Sequence, residues 1–104
     1  MVLSYGIQPL PIEKALELYD ILSEYLPEFT ENTSVLDFAG TIIDNIVEAK
    51  STAYVDALRL MTNKSVNELV DLSSEFRFEL FAIGLVKNDI VNLSVFCRNI
   101  GYGR

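Results

Sequence analysis

The chain contains no histidine and no tryptophan, and its 104 residues include one cysteine, two methionines, three prolines and five glycines. Without histidine, Ser-His-Asp and Cys-His arrangements are excluded, and a single cysteine rules out the usual zinc-ligand spacings. Cys97 has no partner for an intramolecular disulfide, which fits a reducing cytoplasm. On the sequence it sits in the apolar stripe of a helix and reads as a small core residue rather than a nucleophile. The glycines form no phosphate-cradling loop, and no run alternates acids ahead of a glycine as a calcium loop requires. No pair of carboxylates is singled out for acid–base work. No apolar run approaches the roughly 18 residues of a membrane span. The start, "MVLSYGIQPLPIEK", lacks a basic stretch leading into an apolar one, so no secretion signal is expected. The expectation is a protein that is not an enzyme and carries no cofactor or metal.

Basic residues are scarce in one half. Residues 1–48 hold nine acids against Lys14 alone, whereas residues 49–104 hold six acids and seven bases, for a net charge of −7. Phosphate neutralisation needs a basic patch, so nucleic-acid binding is not expected. A basic protein partner, or mimicry of nucleic acid, stays open, beside the plainer consequence that acidity keeps an apolar protein in solution. Half the residues are hydrophobic and 22% are charged, which fits one folded domain rather than a disordered chain.

The prolines lie at positions 9, 11 and 27 and frame the first helical segment, in which Ile12, Ala15, Leu16, Tyr19, Leu22 and Leu26 recur at helical spacing. Glu13, Glu17, Asp20 and Glu24, at steps of four, three and four, share one side of it. That stripe is either a solvated face tolerating a few tenths of a kcal/mol of repulsion per pair, or a docking stripe that steers a basic partner helix. Thr33 or Ser34 can cap a second helix whose stripe is Val35, Leu36, Ala39, Ile42, Ile43, Ile46 and Val47. Gly40 inside it suggests a close backbone neighbour. Ser51 can start a third helix, carrying Tyr54, Ala57, Leu58 and Met61 and ending near Asn63. "KSVNELV" pairs Ser65 with Glu68 as a capping box for a short helical turn that stops about Asp71.

The stretch "SSEFRFELFAIGLVKN" is ambiguous, because residues 75–80 alternate like a strand while the run after them does not. Helix-start residues at its front, Lys87 and Asn88 at its end and the absence of any partner strand predict a helix. Phe76, Leu80 and Ile83 then form one stripe, expected to face the core. Phe78, Phe81, Ala82 and Leu85 form another. A helix this apolar in so small a domain is expected to leave surface for self-association or a partner. Phe76, Phe78, Phe81 and Leu85 are the candidate contact residues, with Phe78 foremost. The last helix aligns Ile90, Leu93, Phe96, Cys97 and Ile100, with Gly101 as a left-handed cap and Tyr102 folding back. The fold class predicted is all-α, a compact single domain of about five or six helices with short loops.

The order of these segments resembles a known family. "YVDALRLMTNKSVNELVDLSSEFRFELFAIGLVKNDIVNLSVFCRNIGYG" is similar to the tail assembly chaperones of long-tailed bacteriophages and prophages, in their short form. In these a short "K-S-V-x-E-L" helix leads through "D-L-S" into an aromatic helix, followed by a last helix with "F-C" or a similar pair. "ALELYDILSEYLPEF" and "FAGTIIDNIVEAK" look like the acidic first half of such proteins, so the likeness runs from about Ile12 to Gly103. It consists of helix pattern and boundary residues and contains no fixed binding motif. The resemblance implies action in the host cytoplasm during virion assembly, by a chain whose apolar fifth helix already points to a homo-oligomer. There it would keep the long tape measure protein soluble and help gather tail-tube protein subunits around it. A longer, frameshifted form often accompanies the short one in the family, but the last residues here carry no Lys-Lys or Phe-Phe pair, the trace of the commonest slippery codons. Two other readings fit the same residues: a small acidic regulatory or anti-defence protein occupying a basic groove, and a helical bundle like the bacteriocin immunity proteins, which are expected to be more basic.

Overall fold

Pro11 opens the first helix with φ −63° and ψ 160°. Its missing N–H removes nothing from a helix start, where the first donors have no intrahelical acceptor. The computed structural model describes residues 7–102, and these form six α-helices and one 3-10 turn with no strand. The order is α1 (Ile12–Leu22), the turn Ser23–Tyr25, α2 (Val35–Glu48), α3 (Ala53–Thr62), α4 (Val66–Val70), α5 (Ser74–Lys87) and α6 (Ile90–Asn99). The all-α single globule expected from the sequence is the architecture that forms.

Four of the six α-helices start at a side chain that accepts from the N–H three residues along. Ser34 Oγ accepts from Asp37 N–H at 3.4 Å and Ser73 Oγ from Phe76 N–H at 3.1 Å. At α4 the box is reciprocal: Ser65 Oγ accepts from Glu68 N–H at 3.2 Å, and Glu68 Oε1 accepts from Ser65 N–H at 3.1 Å. The Ser73 cap settles the ambiguous stretch, since it starts a helix that runs unbroken to Lys87. At the far end of α6, Tyr102 N–H reaches Cys97 C=O at 2.9 Å and Gly101 N–H reaches Arg98 C=O at 3.1 Å, with Gly101 at φ 71°. This is the six-to-one and five-to-two closure of a left-handed helix end.

Two boundaries differ from expectation. The first helix stops at Leu22 rather than running through Leu26, because Leu26 precedes Pro27 and is held extended at ψ 129°. Thr52, not Ser51, is the N-cap residue of α3. Ser51 Oγ still accepts from Ala53 N–H at 3.0 Å and from Tyr25 O–H at 2.7 Å, tying the 3-10 turn to the α2–α3 corner.

Helix α5 lies against both α2 and α3, while α1 packs on α3 and α6, α6 also packs on α2 and α5, and α4 sits on α3. The core between them is filled by fully buried Leu18, Leu22, Phe38, Ile42, Ile46, Leu58, Leu69, Leu80, Phe81, Leu85 and Ile90. Each such aliphatic or phenyl side chain contributes roughly 1.5–3 kcal/mol by leaving water. Gly40 does not meet a close neighbour: it is exposed, and nothing lies within 4 Å of where a Cβ would stand. The close approach is at Gly84, where a Cβ would sit 2.5 Å from Met61 Sδ. That contact seats α5 tightly on α3.

Candidate functional site

Helix α5 does not present the face expected of it. Phe81 and Leu85, proposed from the sequence as contact residues, are wholly buried, as is Leu80. Being clasped between α2 and α3, the helix turns Leu80, Phe81, Gly84 and Leu85 inward, a face that straddles the two stripes read from the sequence. Phe81 and Leu85 therefore have no surface to offer a partner. Phe76 and Phe78 are half-buried and pack on the core edge, and Phe78 stacks on Tyr54 with ring centroids 4.4 Å apart. Phe78 is thus partly spent inside the subunit, held by a stacked ring contact worth about 0.5–1.5 kcal/mol beyond its area.

Arg77, its guanidinium 6.0 Å from the centre of the Tyr54 ring, reaches from α5 to the end of α4. Its Nη1 donates to the carbonyls of Leu69 and Val70, each at 3.2 Å, and to that of Leu72. One guanidinium group thereby gathers the carbonyls at and just beyond the end of α4, where Leu69 C=O also accepts from Leu72 N–H at 3.1 Å, and ties that short helix to α5. The only hint in the sequence was a single base between two phenylalanines.

The acids of the first helix are all exposed, but they do not form one continuous stripe. Glu13, Glu17 and Asp20 lie on α1, and Glu24 lies in the 3-10 turn beyond it. Asp20 Oδ2 accepts from Tyr102 O–H at 2.8 Å, a bond that raises the tyrosine hydroxyl above its ordinary pKa. Glu17 borders a shallow groove of about 600 Å³ between α1, α3 and the start of α4, in which Lys14, Arg59 and Lys64 stand among Asp56 and Glu68. With bases interleaved, that rim has no single sign. The Arg59–Asp56 pair, one turn apart along α3, is 3.8 Å apart and more than half exposed, and contributes little.

The clearest apolar surface lies on α6. Its inward side is Ile90, Val91, Leu93, Ser94 and Cys97, all buried. Phe96 and Ile100 were expected in that stripe, but they stand outward, 45% and 57% exposed. At 100° per residue, Phe96 lies about one quarter-turn from Cys97 and leaves the buried arc. Four residues apart, Phe96 and Ile100 are neighbours on one face. The end of the helix beneath them is tied to other elements on two sides. Arg98 Nη1 donates to Phe29 C=O at 3.0 Å while its guanidinium stands 4.6 Å from that ring's centre, and Phe29 meets Phe38 edge-on at 5.4 Å. On the other side Tyr102 meets Tyr19 edge-on at 6.2 Å. Other exposed apolar side chains lie apart from this face in the chain: Leu36 and Val47 on α2, which were also expected inward, Val66 and Val70 on α4, and Ile12 on α1.

Burial raises the Cys97 thiol above its ordinary pKa, and the charge of Asp20 adds to the shift, so the group is the opposite of an activated thiolate. Among the described residues no three of His, Cys, Asp and Glu gather as a metal set. No single helix among them is long and apolar enough to cross a membrane. The geometry is that of a rigid helical body with an outward Phe–Ile pair. Compared with known proteins, the chain matches no family model, no curated sequence and no solved structure.

Proposed function

We propose that the protein is a non-catalytic holding chaperone of the tail-assembly type. It binds the apolar stripe of a long helical client, the tape measure protein, keeps it soluble and releases it as tail-tube subunits arrive. The observation that carries this reading is the outward pair Phe96 and Ile100 on a helix end braced from two sides. The resemblance of the sequence over residues 12–103 supplies the identity of the client. Two large apolar side chains four residues apart fit the i, i+3, i+4 stripe of an amphipathic helix. The acidic first half keeps the complex in solution and repels stray association. Each contact is small, so the client is held through several copies along its length, and each copy is easily displaced. The site of action is the host cytoplasm, and the active species is a homo-oligomer.

Co-expression tests the proposal. A long tape measure protein is produced alone and together with this chain, and its soluble fraction is measured after centrifugation. Solubility that rises only with this chain present, together with co-purification of the two, is the expected result. A client equally insoluble in both cases sinks the reading, whatever the fold.

A further inference from the structure

The segment ahead of α1 is a strap across the α5–α6 corner. Ile7 is buried to 5% exposure, and its Cγ2 lies 3.8 Å from the point where Gly84 would carry a Cβ. Leu10 N–H donates to Asn88 Oδ1 at 2.7 Å, and Lys87 Nζ donates to Ile7 C=O at 3.4 Å. The other half of the Asn88 amide is also used, donating to Gly84 C=O at 2.9 Å and to Met61 Sδ at 3.6 Å. One asparagine therefore joins the strap, α5 and α3.

The strap owes its shape to its own prolines. Gln8 and Leu10 each precede a proline and are biased to extended backbone, and Pro9 and Pro11 have their φ fixed by the ring. Neither proline has an N–H, so Leu10 offers the one backbone donor between them, and it goes to Asn88. A segment already extended loses little entropy on docking, whether the socket belongs to its own chain or to another. Among the described residues it is held by buried Ile7, by half-buried Leu10 packed on the core edge and by two bonds between side chain and backbone. Such a segment opens locally at far lower cost than the core.

We infer that residues 7–11 are an exchangeable arm, and that in the homo-oligomer the arm of one chain docks in the Met61, Gly84 and Asn88 socket of a second copy. Exchange re-forms every contact of the closed state and needs no new complementarity, which makes it a low-cost route to a dimer. Five extended residues reach about 16–18 Å. The start of α1 in each chain must then lie beside the other chain's socket, in a two-fold arrangement. Ile12 stands at that start, 54% exposed, and the seam between the copies gives it cover.

Two variants made in a Cys97→Ser background test the exchange. One carries Leu10→Cys and the other Asn88→Cys, and the two are mixed, concentrated and oxidised. The expected product is a disulfide-linked heterodimer in excess over either homodimer, its yield rising as concentration nears the roughly millimolar effective value of a short tether. A single chain bearing both substitutions should form the intrachain bond when dilute, showing that it folds with the strap docked. Absence of the heterodimer while the intrachain bond forms overturns the proposal, and so does a folded double variant that forms no intrachain bond. If loss of Asn88 prevents folding, a photo-crosslinking residue at exposed Gln8 replaces the pair. Gln8 lines one small cavity with Leu60, Met61 and Asn63. Crosslinks from Gln8 to those residues of a mass-labelled second chain support exchange, and crosslinks confined to its own chain refute it.

Discussion

Replacing Phe96 and Ile100 together by glutamine isolates the face on which the functional reading depends. Glutamine keeps good helix propensity and adds no charge, so the change removes apolar area and little else. Full burial of a phenylalanine or isoleucine contributes roughly 1.5–3 kcal/mol. About half of each side chain is still in water, 45% for Phe96 and 57% for Ile100. A client covering both gains about 1.5–3 kcal/mol from the pair, and its loss weakens binding roughly tenfold to a hundredfold. The assay is binding of the double variant to an amphipathic segment of the tape measure protein, with thermal melts alongside. The variant should remain folded, because neither side chain belongs to the buried set. Phe81→Gln, which places an amide in the closed core, is the contrast and should lose on the order of 3–5 kcal/mol of stability. A folded Phe96→Gln, Ile100→Gln protein that binds the client as tightly as before refutes the assignment of this face.

Gly40→Ala should stabilise the protein by roughly 0.5–1 kcal/mol, raising the melting temperature by a few degrees, because the added methyl meets open space in a helix interior. A lower melting temperature would mean that something does approach Gly40. The Glu68 carboxyl is held below its ordinary value of 4.5, first by the backbone N–H of Ser65 and then by its side chain. Its contribution to stability is therefore complete above pH 4.5 and disappears as the pH falls through the lower folded value. Glu68→Gln keeps an acceptor for the box and should flatten that acid limb in urea melts; parallel pH profiles of the two proteins would contradict this. Glu13→Gln, Glu17→Gln and Glu24→Gln together, sparing Asp20 for its bond to Tyr102, should slow association with a basic partner at low salt and weaken its salt dependence. Unchanged on-rates would mark these acids as a solvated surface.

The chain announces its helix ends. Ser34, Ser65 with Glu68, Ser73 and Gly101 each act through bonds spanning three to five residues, so their effect is written in the neighbouring letters. For the same reason the strand-like alternation of residues 75–80 yields to the cap in front of it. The side a helix turns inward is a different matter. Helix α5 is apolar around most of its circumference, and the partners on either side, α2 and α3, choose Leu80, Phe81, Gly84 and Leu85 from several possible faces. On α6 hydrophobicity alone would bury Phe96 and expose Ser94. Contact with α1 and α2 centres the buried arc on Ile90, Leu93 and Cys97, which carries Ser94 inward and leaves Phe96 in water. The roles of Arg77 and Asn88 are equally invisible in the letters, since their acceptors and donors are brought up by other elements. Local bonding decides where a helix starts and stops; what covers it is decided by residues distant in sequence, and only the assembled structure shows which apolar side chains are left over.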